Sequence, residues 1–233
     1  MDGITNLIMA MAAFVGTHLI LSHPLRASLV AKFGPSGFLG AYSVVGLATF
    51  GWVIQARLAV TDDPPMWVAG RGLWDISTLL MLFASVLLAG SLVGNPAAPD
   101  PRGDTGPIRN ATGVYAITRH PMLWAFLIWA VVHMILWGSR ANLVVSGGIL
   151  LLALVGMIGQ DAKKLALQGG RWSDWMNRTS LVPFAGQLTG RVRWRAAKPS
   201  WGTFLAGVAI FLGATWAHPM LGGPVAGVWR WFG

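Results

Sequence analysis

The sequence predicts an all-α fold, a polytopic membrane helix bundle of about six transmembrane helices. Three observations predict it. The chain is 55% hydrophobic and only 11% charged, against roughly 25% charged in ordinary soluble domains, so a soluble fold of this length could not cover its surface. Six largely apolar runs approach the roughly 20 residues needed to cross a bilayer. The 17 Lys and Arg residues fall in short segments between those runs, which is how membrane topology is encoded. With 233 residues, a single unit over 1–233 is expected.

The runs are Ile4–Leu21, Gly37–Ile54, Trp74–Val93, Met122–Trp137, Val144–Ile158 and Trp201–Ala217. Flanking Trp, Thr and Gly residues extend the shorter ones. Met1-Asp2-Gly3 carries no Lys or Arg, unlike the basic start of a cleavable signal, so the first run reads as a retained helix. Pro96–Pro107 is rich in Pro, Asp and Gly and reads as a turn region. The connection Asp161–Ser200 is long enough to lay an amphipathic helix on the membrane. The closing stretch Gly222–Gly233, with Trp229, Arg230, Trp231 and Phe232, is too short to span and reads as interfacial.

Charge sets the expected orientation. The segments after the first, third and fifth runs hold 13 Lys and Arg residues, among them Arg26, Arg102, Arg109, Arg119, Lys163, Lys164 and Arg195. The other side holds Arg57, Arg71, Arg140 and Arg230. Positively charged loops stay in the cytoplasm, so both termini are expected outside it, in a bacterial inner membrane. The same distribution explains the net charge of +9 without nucleic acid; the expected partner is the lipid bilayer.

Composition narrows the chemistry. There is no Cys, which excludes disulfides and thiolate metal sites. All eight acidic residues are Asp, which excludes a Glu general base. The five histidines remain. An ionisable residue inside a spanning helix is a functional candidate, because leaving it there unpartnered is costly. Neutral imidazole is also a common metal ligand and an axial ligand of haem. His18 lies near the inner end of the first run and His133 within the fourth. His120 opens the fourth in Ile117-Thr118-Arg119-His120-Pro121, where Pro suits the first helical position. His23 and His218 sit at run ends, where a solvated or headgroup-facing His is ordinary. Arg119 and Arg26, near the cytoplasmic face, could pair with an anion such as a propionate. Depth leaves the pairing open. His133 lies about 18 Å along its helix from Pro121, and His18 about 5 Å from the inner end of its own, at 1.5 Å per residue. His120 therefore matches His18 in depth better than His133 does. A further cluster, Asp161 with Lys163 and Lys164, then Trp172, Trp175 and Leu181-Val182-Pro183, reads on physical grounds as a basic headgroup anchor with Trp at the interface.

These residues resemble a known family. Gly113-Val114-Tyr115-Ala116-Ile117-Thr118-Arg119-His120-Pro121 followed by Trp129…His133 is similar to the central motif of the NnrU family, named for denitrification proteins and related to the plastid zeta-carotene isomerase. His18-Leu19-Ile20-Leu21-Ser22-His23-Pro24-Leu25-Arg26, then Gly34, and the stretch Asp161–Pro183 follow its pattern as well; the resemblance is strongest over 15–184. It implies a polytopic membrane protein. In the isomerase branch it implies a b-type haem held by two histidines, here His18 and His133. Reduction would free one ligand, and the open ferrous iron would assist rotation about a cis double bond of a hydrophobic polyene. Ile158, Gly159 and Gln160 stand where the isomerases carry a further His, and the His18–Arg26 spacing is one residue longer. Both departures favour the bacterial branch. The Arg-His-Pro motif with Asp161, Trp172 and Val182-Pro183 also resembles membrane methyltransferases that use S-adenosylmethionine. A non-catalytic partner of respiratory complexes is the third expectation.

Overall fold

The computed structural model describes residues 2–98, 108 and 110–232. Most of the Pro96–Pro107 turn region, with Arg102, and also Arg109, lie outside the described residues. The chain is an all-α polytopic bundle, with four helices long and apolar enough to cross a membrane: α1 (Gly3–Ser22), α2 (Arg26–Leu58), α3 (Arg71–Ser91) and, after the single turn α4 (Val114–Ile117) and α5 (Pro121–Leu136), α6 (Arg140–Gln168). α5 is a shorter apolar helix of 16 residues. The connection that follows holds α7 (Gly170–Arg178) and the single turn α8 (Ala185–Leu188). The second shorter apolar helix, α9 (Trp201–Ala217), has 17 residues.

Local chemistry fixes the ends. The Asp2 carboxylate accepts from the Thr5 amide at 2.7 Å and caps α1. Ser139 and Ser200 cap α6 and α9 in the same way. Pro121 opens α5, where its missing N–H is not needed. α2 and α6 are longer than their apolar runs, because a helix continues through charged residues at which a hydropathy run stops. α2 also carries a kink at Gly34-Pro35, where Gly34 takes φ 71°, a left-handed value that favours glycine. Within α3, Thr78 and Ser85 turn their hydroxyls to the carbonyls of Trp74 and Met81, as lipid requires of polar groups.

The helices pack as a row in the order α2, α1, α6, α5, α3, α9. Small residues set the seams. A β-carbon at Gly148 would strike Met11, and one at Gly159 would strike the His23 ring, so α1 and α6 run in the same direction. Close approach of backbones at small residues is the usual way membrane helices associate. After α9 the chain folds back and rests on α3. There the Arg230 guanidinium lies 4.1 Å from the Trp74 ring and the Trp231 indole donates to Asp75 at 2.8 Å.

Candidate functional site

The Arg-His-Pro segment is latched to the chain that follows α7. The Arg119 amide donates to Ser180 O at 2.8 Å, the Phe184 amide to Ile117 O at 3.0 Å, and the Gln187 amide nitrogen to Ala116 O at 2.8 Å. The Thr118 hydroxyl and the Trp124 indole both donate to Leu181 O, at 2.7 and 2.8 Å. Gly113 lets the chain enter this latch with φ 60°, a conformation costly for other residues.

Asp161 of α6 gathers the side chains of this region. Its Oδ2 accepts from Arg119 Nε at 2.8 Å and from the terminal guanidinium nitrogen at 2.6 Å. Its Oδ1 accepts from His120 Nε2–H at 2.9 Å and from the Trp172 indole at 3.3 Å. Arg119, His120 and Asp161 are all buried, and Trp172 and Trp175 are 0% exposed. Two expectations change here. Arg119 is not open to an anion, because its charge is met by the Asp161 carboxylate. The two tryptophans are not interfacial, because α7 turns them into the core beneath the latch. His120 is also engaged at Nε2, and its Nδ1 is buried with no hydrogen-bond partner. A ring that is 2% exposed has no space beside it for a bulky ligand. The cluster is a charge-compensated brace joining α5, α6 and α7. Beyond it, Arg178, Arg191, Arg193 and Arg195 line an open surface cleft of about 480 Å³, which suits the anionic headgroup contact expected of this connection.

The remaining histidines divide between two seams. His18 Nδ1–H donates to Phe14 O at 2.8 Å, and its ring meets Phe14 and Tyr42, with centroids 4.3 and 5.3 Å away. It faces α2. Beside it, Leu21, Leu29, Phe33, Phe38, Tyr42 and their neighbours line a small apolar cavity of about 120 Å³. Arg26 lies over the Phe38 ring at 5.7 Å. His23 stands over Gly159, and burial, with a smaller push from the Lys163 ammonium, holds its imidazole below the ordinary value.

His133 faces the other way. Its Nδ1–H donates to Trp129 O at 2.8 Å, and Trp129 stacks on it at 4.1 Å. The ring nearest to it from elsewhere in the chain is His218, with centroids 6.0 Å apart. The structure therefore brings His133 to His218 and not to His18. The packing order explains this: α6 stands between α1 and α5. Depth separates the two as well. The neighbours Met11–Gly148, His23–Gly159 and Leu123–Gly156 place His18 near the level of Leu123, so His133 stands roughly 15 Å further along the bundle axis at 1.5 Å per residue. His218, expected to be a solvated helix end, is half-buried. The chain turns back through Pro219–Leu221 and Gly222, and Pro224 O accepts from its Nδ1–H at 2.7 Å. The Gly222-Gly223-Pro224 sequence, a strong turn signal, was the one hint of this return.

Comparison with known proteins bears on this geometry. The family model described as NnrU protein matches residues 6–226. The chain belongs to the NnrU family. It is also similar to the chloroplastic 15-cis-zeta-carotene isomerase of Zea mays, at 32% identity over 113 residues, which is 47% of this chain and 31% of the maize protein. The corresponding isomerase of Arabidopsis thaliana is 29% identical over 119 residues, 48% of this chain and 31% of that protein. The match thus spans about a third of the length of these relatives. No solved structure matches the NnrU chain.

Proposed function

We propose that this NnrU protein is a membrane-embedded isomerase acting on an extended apolar molecule with a cis double bond, reached from within the bilayer. The observation that carries the reading is its similarity, over nearly half its length, to two 15-cis-zeta-carotene isomerases. The apolar helices suit a hydrophobic substrate of that kind, since such a molecule partitions into the bilayer that surrounds them. The Asp161 brace serves a positioning role. It holds the start of α5 against α6 and α7, and so fixes the helix that presents His133.

A b-type haem belongs to this proposal as the prosthetic group the resemblance implies. The donor chemistry suits it ring by ring. His18 and His133 each give Nδ1–H to a carbonyl of their own helix, which leaves Nε2 as the lone pair a metal would take. The pairing does not suit it. Rings on opposite flanks of the row and at different depths do not meet on one iron, and Arg119 is already engaged with Asp161. His18 and His133 in this arrangement do not fit as the two axial ligands of one haem.

The reading is tested by incubating purified protein in proteoliposomes with a 15-cis polyene, under oxidising and reducing conditions, and separating the isomers. Conversion to the all-trans bond above the protein-free rate is expected. No conversion under either condition ends the isomerase reading. S-adenosylmethionine binding by calorimetry would instead favour the methyltransferase class.

We also propose that the membrane is a bacterial inner membrane with both termini outside the cytoplasm. The charge distribution supports this, and the common direction of α1 and α6 agrees with α6 as the fifth crossing. Reporter fusions after Gly34 and Arg195 should report cytoplasm. A periplasmic signal from the Arg195 fusion overturns the scheme.

A further inference from the structure

We propose that Arg178, Arg191, Arg193 and Arg195, in the connection between α6 and α9, form a specific site for the phosphate of an anionic lipid headgroup. The site goes beyond the isomerase reading, and its test involves no catalysis.

Charge is the first argument. Residues 162–200 hold eight Lys and Arg residues and a single acid, Asp174. The Asp161 carboxylate, which precedes them, is taken by Arg119 and His120. The four arginines line one open cleft of about 480 Å³, with Asn177 as a further donor and no carboxylate among its walls. Four guanidiniums that share a cleft without a counter-charge repel one another, and a bound anion relieves that repulsion. The planar guanidinium fork matches two oxygens of one phosphate.

The cleft is also held in shape. One terminal nitrogen of Arg191 donates to Thr179 O at 2.8 Å and to Ser180 Oγ at 3.1 Å. Arg178 Nε donates to Asp174 O at 3.3 Å, and its guanidinium stands 6.0 Å from the Trp175 ring. These partners are all neutral, so they orient the two guanidiniums without cancelling their charge. The side chains of Arg193 and Arg195 have no hydrogen-bond or ion-pair partner among the described residues. Backbone bonds fix the segment that carries them. The Val192 amide donates to Gly186 O at 2.9 Å, and Ala196 O accepts from the Gly113 amide at 2.7 Å. A β-carbon at Gly186 would come 2.7 Å from the Val192 side chain, so glycine is what lets the two segments close.

A lipid and a soluble compound can both offer a phosphate, and the surroundings select the lipid. The connection joins the end of α6 to the start of α9, two apolar helices of the bundle, so it lies at a membrane face. Trp194, between Arg193 and Arg195, is 59% exposed, Leu188 is 77% exposed, and Trp201, the first residue of α9, is 73% exposed. Exposed Trp and apolar side chains interleaved with arginines suit the boundary between acyl chains and headgroups, the level at which lipid phosphates lie. A site for a soluble anion has no need of that apolar border. The lipid is an anionic one, because the cation of a zwitterionic headgroup already offsets its phosphate and four arginines would repel it.

The full-length protein in detergent is titrated separately with dioleoylphosphatidylglycerol, dioleoylphosphatidylcholine and inorganic phosphate, and native mass spectrometry counts what it retains. One phosphatidylglycerol, retained in preference to phosphatidylcholine, is expected. Arg193→Gln and Arg195→Gln should each weaken its retention at least about tenfold, the loss of one charge-assisted hydrogen bond. Arg57→Gln removes the same charge from an exposed position at the other end of the bundle and should leave retention unchanged. Arg191→Lys keeps the charge, loses the fork and should weaken retention as well. Melting of each variant shows that it has folded, and Arg193 and Arg195 make no side-chain hydrogen bond among the described residues whose loss would disturb the fold. Retention unchanged by Arg193→Gln and Arg195→Gln, lowered equally by Arg57→Gln, or kept in full by Arg191→Lys overturns the proposal. So does phosphatidylcholine bound as well as phosphatidylglycerol, and so does inorganic phosphate held by these arginines in place of the lipid.

Discussion

Asp161→Asn is expected to cost about 3–5 kcal/mol of stability, the usual penalty for removing one partner of a buried ion pair. The substitution keeps the shape of the side chain and removes its charge. Arg119, buried in the native fold, then keeps a guanidinium with no counter-charge in a place where water cannot replace the carboxylate. The amide keeps one oxygen as an acceptor and replaces the other by an NH2 donor, so either Arg119 or the His120–Trp172 pair meets a donor where it met a carboxylate oxygen. The damage should spread from there, because α5, α6 and α7 meet on this one carboxylate. The comparison is Asp174→Asn on α7. Asp174 is exposed and its side chain makes no hydrogen bond among the described residues, so the change should stay within about 0.5 kcal/mol. Thermal and denaturant unfolding in detergent, followed by circular dichroism, measures both. Equal stability of the two variants would mean that Asp161 is not the centre of the brace.

The contrast between Asp161 and the apolar runs shows what a single sequence discloses. The six runs were legible because lipid imposes one rule on every residue of a span, and each run became a helix. Trp201–Ala217 has the same ends in sequence and structure, since Ser200 caps it and His218 closes it. α2 and α6 ran on past their predicted ends, because Arg57, Lys163 and Lys164 stop a hydropathy run without stopping a helix. The site was legible only as residue types. Asp161, Arg119 and the tryptophans were all visible as motif residues, but an anion-binding Arg and an ion-paired Arg look alike until the latch between Ile117 and Phe184 brings the segments together. His218 was hidden more deeply. Its inward turn depends on Gly223 leaving space for a ring, a property of three dimensions with no periodicity in the sequence.

Gly207→Ala is expected to cost about 1–3 kcal/mol, the range for overpacking a well-packed core, although it adds a single methyl group. The β-carbon would lie 2.7 Å from the Val86 Cα and 2.9 Å from its amide nitrogen. These are backbone atoms of α3, so no rotamer change relieves the contact, and the two helices must separate. Alanine is otherwise the better helix former, by about 0.8–1.0 kcal/mol over glycine in aqueous helices. Gly213→Ala on the same helix tests that opposite sign, because nothing lies within 4 Å of its β-carbon and the substitution should stabilise. Opening the α3–α9 seam also carries a consequence at a distance. α9 ends at His218, and the returning chain is tied to α3 through Trp74 and Asp75, so Gly207→Ala should displace His218 from His133 as well as lower stability. Melting temperatures of the two glycine variants in detergent measure both effects. A Gly207→Ala protein as stable as Gly213→Ala would show that α3 and α9 do not pack through this glycine.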